Sequence, residues 1–289
     1  MPAPPRSLRL ALPKGRMQDG VFQLLAEAGL PVRASARAYR PRLDLPALDV
    51  KILKPQNTIE MLQAGTRDLG FAGADWVDEM HADVDELLDT GLDPVRLVAA
   101  APAGLDPARL ARERPLVVAS EYERITRRWL EARGWRHRFV RSYGATEVFP
   151  PEDADLIVDN TATGATLAAN GLVIVDTLRT SSTRLYASPT LRREPDLQER
   201  AGEFRMLAAS VLAARERVML EVNVVAARLD EVVAMLPCMR EPTVSPLHGN
   251  GAYAVKAAVP RRELAALIPR LRACGGTDLV VTTPSQIVS

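Results

Sequence analysis

Short apolar runs alternate with amphipathic stretches along the first two thirds of the chain, a pattern typical of strands and helices that take turns. The amphipathic stretches predict helices at Met17–Ala28, Thr58–Gln63 and Ile125–Ala132. In the second of these, Thr58 is the predicted N-cap and Gly65 the predicted C-cap. The apolar runs predict buried strands at Leu8–Leu12, Val50–Leu53, Leu69–Gly73, Val95–Ala101, Leu116–Ala119 and Phe139–Val140. Such alternation builds parallel sheets covered by helices.

The strands and helices form two blocks, and the chain crosses between them near Asp93 and returns near Ser182. We therefore expect two α/β lobes around a cleft. The first lobe is predicted to contain residues 1–92 and 182–212, and the second residues 93–181. A cleft between two lobes is a natural place for a ligand.

From about Arg215 the pattern changes to the order βαββαβ, which is the ferredoxin-like plan and predicts a separate domain over residues 213–289. Such a domain binds a ligand or another copy of itself, or serves only for packing and dimerisation; the pattern leaves both open. Its predicted elements are strands at Val218–Val225, Thr243–Leu247, Gly251–Ala258 and Asp278–Thr282, and helices at Leu229–Leu236 and Arg261–Ala273.

Composition narrows the function classes. The 289 residues are 47% hydrophobic and 25% charged, with a net charge of +1, so no overall field attracts nucleic acid or a membrane. There is no run of about 18 apolar residues that would predict a transmembrane helix. Met1–Ser7 lacks the apolar centre of a signal peptide, and Cys238 and Cys274 lie far apart, so we expect a cytoplasmic protein without a disulfide framework or a zinc site.

Asp155–Leu167 is the most informative segment, because a buried strand is followed by an acidic residue, a loop rich in hydroxyl groups and the start of a helix. Gly164 allows close backbone approach, and the helix start favours an anion. Asp159 would repel a phosphate but could accept hydrogen bonds from two ribose hydroxyls, so the segment predicts a sugar phosphate site. In the alternative, the threonines only cap the helix. The hydroxyl donors are Thr161, Thr163 and Thr166.

Cations follow the first predicted strand. Lys14 and Arg16 flank Gly15 at the end of that strand, where parallel sheets bind ligands, and Lys54 follows the next strand. Arginines also stand at the start of the helix near Arg127, where they oppose the helix dipole unless an anion lies there. The three histidines have no metal-ligand spacing, and neither a catalytic triad nor a phosphate loop of the GKS type occurs. Chemistry on these residues would depend on proximity and electrostatics.

Five segments, in order along the chain, resemble the ATP phosphoribosyltransferase family of histidine biosynthesis. They are Ala11–Met17 (ALPKGRM), Asp68–Trp76 (DLGFAGADW), Thr126–Leu130 (TRRWL), Asp159–Leu172 (DNTATGATLAANGL) and Glu241–Leu247 (EPTVSPL). The resemblance implies an α/β fold with a two-lobed catalytic core like that of periplasmic binding proteins, plus a C-terminal ferredoxin-like (βαββαβ) regulatory domain, as in the long form of the family.

The implied reaction joins ATP to phosphoribosyl pyrophosphate through adenine N1, with Mg²⁺, to give N1-(5-phosphoribosyl)-ATP and pyrophosphate. Asp159, Lys14 and Arg16 would be the catalytic residues. The resemblance assigns phosphoribosyl pyrophosphate binding to Asp159, Thr161, Ala162, Thr163, Gly164, Ala165 and Thr166. It assigns ATP binding to Lys14, Gly15, Arg16, Lys54, Gly70, Phe71, Ala72 and Gly73.

The resemblance to the long form also implies feedback inhibition by histidine and a homohexamer, with a dimer–hexamer equilibrium open. The candidate histidine contacts are Asn223, Met239, Thr243 and Ser245. Three positions depart from the family pattern: Ala74 and Lys54 stand where arginines are usual, and Asn57 where an aspartate is usual. These departures leave open a non-catalytic ligand-binding or regulatory relative, and the residues alone leave open transfer to another base.

Overall fold

The computed structural model describes residues 6–33, 39–249 and 251–288. Of the N-terminal segment Met1–Ser7, which lacks the apolar centre of a signal peptide, residues 1–5 lie outside the described range. The chain divides into two compact units. Unit 1 contains Met1–Gln23 and Val32–Arg205, and unit 2 contains Leu24–Pro31 and Met206–Ser289. The lobe boundaries expected from the sequence remain a prediction; residues 24–31 and 206–212, which that prediction assigns to the first lobe, belong to unit 2.

The first half of unit 1 alternates strands and helices as the apolar pattern predicts. Its first and third strands are largely or fully buried, whereas the second, at the edge of the sheet, is mostly half-buried. The elements are β1 (Leu8–Pro13), α1 (Met17–Glu27), β2 (Leu48–Leu53), α2 (Pro55–Gln63), β3 (Leu69–Gly73) and α3 (Ala74–Met80).

The second half repeats this alternation between two long strands. Its core gathers leucines and valines of the strands around Tyr122 and Trp129. The elements are β4 (Asp85–Pro102), α4 (Pro107–Glu113), β5 (Leu116–Ser120), α5 (Glu123–Ala132), β6 (His137–Arg141), β7 (Leu156–Thr161), α6 (Ala165–Ala169) and β8 (Leu172–Ala187).

The strands of unit 1 form one eight-stranded sheet in the order β2-β1-β3-β8-β4-β7-β5-β6. Each half has the same plan, since three parallel strands, β2-β1-β3 and β6-β5-β7, are each bordered by one antiparallel strand. The two long strands β4 and β8 pair with each other and join the halves. The predicted two-lobed α/β fold is therefore confirmed.

Helix α2 corrects one prediction. It begins at Pro55 with Lys54 as the N-cap residue, so Thr58 is not the cap. Thr58 is fully buried inside the helix, and its hydroxyl donates to the carbonyl of Lys54 at 3.3 Å. Proline is favoured at the first helical position because its missing N–H has no partner there in any case. The Lys-Pro pair therefore starts the helix, ahead of the threonine.

Unit 2 has the predicted βαββαβ order. After α7 (Pro195–Arg215), the sheet has the strand order β10-β11-β9-β12 and is antiparallel throughout. Alternate residues of β9 are buried with α8 and α9 in one apolar core. The elements are β9 (Arg217–Val225), α8 (Leu229–Met235), β10 (Thr243–Pro246), β11 (Ala252–Pro260), α9 (Leu264–Ala273) and β12 (Thr277–Thr282).

Candidate active site

A cavity of about 440 Å³ lies between the two halves of the unit 1 sheet. The carboxyl ends of β1, β5 and β7 supply most of its walls, which is where parallel sheets place ligands. It contains residues of the predicted phosphate segment together with one cation from the other lobe. The lining residues are Arg16, Glu121, Gly144, Thr146, Glu147, Asp159, Asn160, Thr161, Ala162, Thr163, Ala165, Thr166 and Leu167.

Asp159 is a carboxyl group of this cavity whose pKa is clearly raised. Desolvation raises its pKa to about 6, and the negative charges of Glu121 and Glu147 add to the increase. The N–H of Asn160, which donates to Oδ1 at 2.7 Å, and the hydroxyl of Thr146 act in the opposite direction. Asp159 is therefore ionised at neutral pH, but by a smaller margin than an ordinary aspartate.

The loop after β7 is held by its own hydroxyl groups. The backbone N–H of Gly164 donates to Oγ1 of Thr161 at 2.9 Å, and that of Ala165 donates to Oγ1 of Thr163 at 3.3 Å. Gly164 has φ of +84°, a left-handed conformation that glycine adopts without strain. The loop therefore turns back on itself and presents backbone and hydroxyl groups of Thr161, Ala162, Thr163 and Thr166 to the cavity.

Arg16 and Lys14 lie just beyond the end of β1, on a turn made possible by Gly15, whose φ is +86°. Arg16 lines the cavity, and its Nη1 donates to the carbonyl of Asp93 at 3.5 Å. Lys14 is directed to Tyr39 instead, with Nζ 2.9 Å from the phenol oxygen. This contact lowers the pKa of Tyr39. The structure thus brings Arg16, but not Lys14, into the cavity with Asp159.

The remaining residues assigned to ATP are not among those that line this cavity. Lys54 is exposed at the start of α2. All of Gly70–Gly73 is buried, and the Phe71 ring packs against Phe204 with a centroid distance of 6.3 Å. A Cβ on Gly70 would lie 2.4 Å from Cγ2 of Thr58, so this glycine serves the close packing of α2 on β3.

A buried hydrogen-bond network behind the cavity joins the two lobes, and the sequence interpretation missed it. The hydroxyl of Tyr122 donates to Oδ2 of Asp75 at 2.6 Å and accepts from Nδ2 of Asn160 at 2.9 Å. Ser181 donates to the other oxygen of Asp75 at 2.7 Å. Burial and the neighbouring Asp75 raise the pKa of Tyr122 far above its usual value, so it remains a phenol. The only sequence signal was the acidic residue after Gly73.

That glycine is required by the network. A Cβ on Gly73 would fall 2.1 Å from Oδ1 of Asp75, so only glycine lets this carboxylate turn back toward the sheet. The sequence alone suggested either backbone contact with a flat ligand or a tight turn. The geometry supports the tight turn for Gly73.

The anion expected at the start of α5 is a carboxylate of the protein itself. Glu79 of α3 accepts hydrogen bonds from the backbone N–H groups of Arg124 and Ile125 at 2.9 and 3.0 Å. Burial raises the pKa of Glu79. Glu79 therefore caps the start of α5, and the neighbouring Asp78 forms an ion pair with Arg128 at 2.8 Å.

In unit 2, the residues assigned to histidine lie on or near one face of the sheet. Ser245 is opposite Ala254, which is opposite Asn223, so all three point to the same side, away from the buried face. Thr243 lies two residues from Ser245 on the same strand, and Met239 is 38% exposed in the preceding loop. The Asn223 amide already donates to Asp278 at 3.1 Å.

No group of three or more histidine, cysteine or acidic side chains is placed to hold a metal ion within residues 6–33, 39–249 and 251–288. Mg²⁺ commonly uses only one or two carboxylates and takes its other ligands from phosphates and water. Asp159, Glu121 and Glu147 in the cavity fit that smaller requirement. Nor does the described part of the chain contain a helix long and apolar enough to span a bilayer.

Comparison with known proteins decides the family. A family model described as ATP phosphoribosyltransferase matches residues 54–208, and one described as the HisG C-terminal domain matches residues 214–284. The ATP phosphoribosyltransferase of Pelotomaculum thermopropionicum is 35% identical over 286 residues, covering 97% of this chain and 99% of the relative. The chain belongs to the ATP phosphoribosyltransferase family.

Two further similar proteins support this family assignment. The protein of that name from Desulforudis audaxviator is 34% identical, with 97% of this chain and 99% of the relative covered. A chain of the ATP phosphoribosyl transferase (HisG:HisZ) complex from Thermotoga maritima is 27% identical, with a TM-score of 0.61 over 70% of this chain and 96% of that one. The protein is thus a transferase of histidine biosynthesis, with the C-terminal domain of the long form.

Two of the departures from the usual ATP phosphoribosyltransferase pattern, Ala74 and Asn57, lie at or near the start of a helix. Ala74 is buried at the start of α3, directly after Gly73. Asn57 is exposed on α2, and its Nδ2 donates to Glu60 at 3.1 Å. Neither residue lines the cavity around Asp159.

Proposed function

We propose that the cleft of unit 1 transfers the phosphoribosyl group of phosphoribosyl pyrophosphate to N1 of ATP, giving N1-(5-phosphoribosyl)-ATP and pyrophosphate. One observation supports this most directly: Arg16 of the first lobe and the Asp159–Thr166 segment of the second line the same cavity. A phosphate in the loop and a pyrophosphate at the cation would place the ribose between them. Transfer from the ribose carbon then needs only an aligned nucleophile.

The loop would hold the 5-phosphate through its hydroxyl and backbone donors. The hydroxyl oxygens of Thr161 and Thr163 accept hydrogen bonds from the N–H groups of Gly164 and Ala165. A phosphate oxygen would compete for the same N–H groups and free the hydroxyls to donate to it. The loop would therefore close on the phosphate by exchanging internal hydrogen bonds for charge-assisted ones, which are stronger.

Asp159 would accept hydrogen bonds from the two ribose hydroxyls. With Glu121 and Glu147, it places negative charge in the cavity beside the proposed phosphate loop. Such charge opposes phosphate binding but stabilises the positive charge that develops on the ribose as pyrophosphate leaves. This arrangement would favour the transition state over the bound substrate.

ATP would lie along the carboxyl ends of β1 and β3. Lys14, Gly15 and Arg16 there offer cations and free backbone to its phosphates, with Lys54 at the edge. The buried segment Gly70–Gly73 would support this wall from within the sheet, and the Phe71 side chain would not touch the nucleotide. Mg²⁺ would arrive on the pyrophosphate of the substrate, with one or two cavity carboxylates beside it.

Unit 2 would bind histidine and mediate feedback inhibition from a distance. The shared sheet face of Asn223, Thr243 and Ser245, with Met239 beside it, supports this proposal because it groups polar side chains of neighbouring strands. The same uncovered face, on which Val225 is 54% exposed, supports assembly into a homohexamer or a dimer–hexamer equilibrium. We propose a cytoplasmic location for this biosynthetic role.

A coupled assay tests the reaction. ATP, phosphoribosyl pyrophosphate, Mg²⁺ and pyrophosphatase are incubated with the protein, with and without histidine, and N1-(5-phosphoribosyl)-ATP is measured. Product formation suppressed by histidine is the expected result. Binding of both substrates by calorimetry without any product would reject transfer and favour a non-catalytic regulatory relative, to which the departures at Ala74 and Asn57 would then point.

A further inference from the structure

A second cavity lies in unit 2, at the end of the sheet where β9 begins and β11 ends. It encloses about 480 Å³. Four of its lining residues are arginines and one is acidic, so its charge suits an anion. The lining residues are Arg215, Glu216, Arg217, Pro260, Arg261 and Arg262. We propose that this cavity binds a polyphosphate anion, such as pyrophosphate or the phosphate chain of a nucleotide.

Two of the arginines are held in place by other contacts. Nε and Nη2 of Arg215 donate to Glu27 at 3.0 and 2.9 Å. Nη2 of Arg261 donates to Thr283 at 3.2 Å, and its Nε reaches the carbonyl of Arg215 at 3.4 Å. Each guanidinium has five N–H donors, so both keep donors for a ligand. Fixed side chains lose less conformational entropy when a ligand binds.

Arg217 gives the strongest support for an anion in this cavity. It is half-buried, yet its side chain has no hydrogen-bond or ion-pair partner among the residues that the structure describes. Charged groups that leave water are normally paired, because desolvation without compensation is unfavourable. The neighbouring Arg262 is 87% exposed at the rim, with Glu263 only at 3.8 Å. Arg215 has a structural role, because it pairs with Glu27 and its positive charge is favourable at the C-terminus of α7. No comparable contact in the described part of the chain accounts for Arg217.

The geometry favours phosphate over a single carboxylate. A planar guanidinium binds phosphate oxygens in pairs, and a pyrophosphate or longer chain offers enough oxygens for several forks at once. Arg215 is already paired with Glu27, and a single carboxylate ligand would neutralise only one of the other three arginines. The chemistry of the site therefore corresponds to a linear phosphate chain, whether free or attached to a nucleoside.

The test uses the full chain and inorganic pyrophosphate without Mg²⁺. Calorimetry gives affinity and stoichiometry, and hydrogen exchange locates binding, since amides near a bound ligand exchange more slowly. We expect slower exchange over residues 213–219 and 258–263. The double variant Arg217→Gln/Arg262→Gln should lose this protection and weaken binding at the site at least about tenfold, since each removed cation takes charge-assisted hydrogen bonds with it.

The matched control is Arg228→Gln/Arg240→Gln, which removes two exposed arginines of unit 2 outside the cavity. It should retain both affinity and protection. Equal weakening in the control, or no protection over the two segments in the wild type, would overturn the proposal. Exchange in the loop 159–167 is measured in the same experiment, so a failure of the proposed phosphate loop in unit 1 is seen separately.

Discussion

At the scale of single residues, Asp159 shows how the site combines binding with an energetic cost. Its pKa of about 6 lies above the usual value of about 3.9 in an unfolded chain. Folding therefore favours the protonated form. The contribution of this group to stability is fully present below pH about 4 and is lost as the pH rises through 6. The ionised form of Asp159, which the proposed ribose contact uses, therefore destabilises the fold at neutral pH.

We expect Asp159→Asn to raise stability and lower activity together. The free energy of unfolding at pH 8 should increase by about 1–3 kcal/mol, and the increase should shrink as the pH falls through 6. Turnover should fall by about 10²-fold, because the charge that stabilises the transition state is gone. Urea unfolding at several pH values and the coupled assay measure both effects.

Asp153→Asn is the matched control for this variant, because Asp153 is exposed and lies outside the cavity. It should change neither quantity. Near-normal turnover in Asp159→Asn would remove Asp159 from the chemistry.

A second variant tests the origin of the raised pKa. Glu147 contributes a negative charge that raises the pKa of Asp159, so Glu147→Gln should lower that pKa. If ionised Asp159 is required, kcat/KM of the wild type should fall on the acid side near pH 6, and the variant should move this limb to lower pH. A full pH profile of each enzyme checks this, and an unchanged or raised limb would exclude the assignment.

At the scale of elements, the close contact between α2 and β3 limits the size of the side chains that either element can have there. Because a Cβ on Gly70 would approach Cγ2 of Thr58 to 2.4 Å, Gly70→Ala should destabilise the protein by about 1–3 kcal/mol through overpacking. Thr58→Ser removes Cγ2, so the double variant should recover much of this loss. Thermal or urea unfolding of the four proteins gives the coupling energy, and simple additivity would contradict this packing.

Helix α5 depends on a cap from another element. Glu79→Gln keeps the size of the side chain but replaces one of the two acceptor oxygens with an NH2 group, so only one of the N–H groups of Arg124 and Ile125 keeps its acceptor. This change should lower stability by about 0.5–2 kcal/mol. The same change at Glu131, an exposed residue near the end of α5, is the control and should have little effect. Equal losses in urea unfolding would show that the cap contributes nothing.

Some elements could be predicted from the sequence and others could not, for physical reasons. Helix α2 was placed three residues late because Lys-Pro starts it, although a buried threonine looked like a cap. The strand predicted at Val95–Ala101 is only the buried end of β4, whose first half is mostly half-buried and polar. Strand β8 was missed for the same reason, since long stretches of it face solvent.

The candidate site divides in a similar way. The loop around Asp159 and the turn at Arg16 were predicted because their chemistry is local in sequence. The partnership of Asp75 with Tyr122 was not, because 47 residues separate them and only folding brings them together. The same holds for Glu121 and Glu147, whose effect on Asp159 is visible only when the cavity is formed.

At the scale of the whole molecule, the proposed histidine response should reside in unit 2. Deleting the residues after Arg215 is a poor test, because Leu24 and Leu25, both fully buried, belong to that unit and would lose their surroundings. Asn223→Ala/Ser245→Ala should instead raise the histidine concentration for half-inhibition at least about tenfold while leaving uninhibited turnover unchanged.

Thr282→Ala, on a different row of the same sheet, is the control for that variant and should be inhibited normally. Inhibition assays with increasing histidine compare the three proteins. Normal inhibition of the double variant would place the effector elsewhere.

The paired strands β4 and β8 form an irregular two-stranded ribbon that connects the two halves of unit 1. Their ladder contains register shifts between Glu86 and Val95, and the backbone there has positive φ at Gly91 and Asp93. An opening of the cleft would bend this irregular ribbon, because both connections between the two halves of unit 1 run through it. The carbonyl of Asp93, within the bend, also holds Arg16. Such bending would also move the carbonyl that Arg16 contacts, so the width of the cleft and the position of this cation would change together.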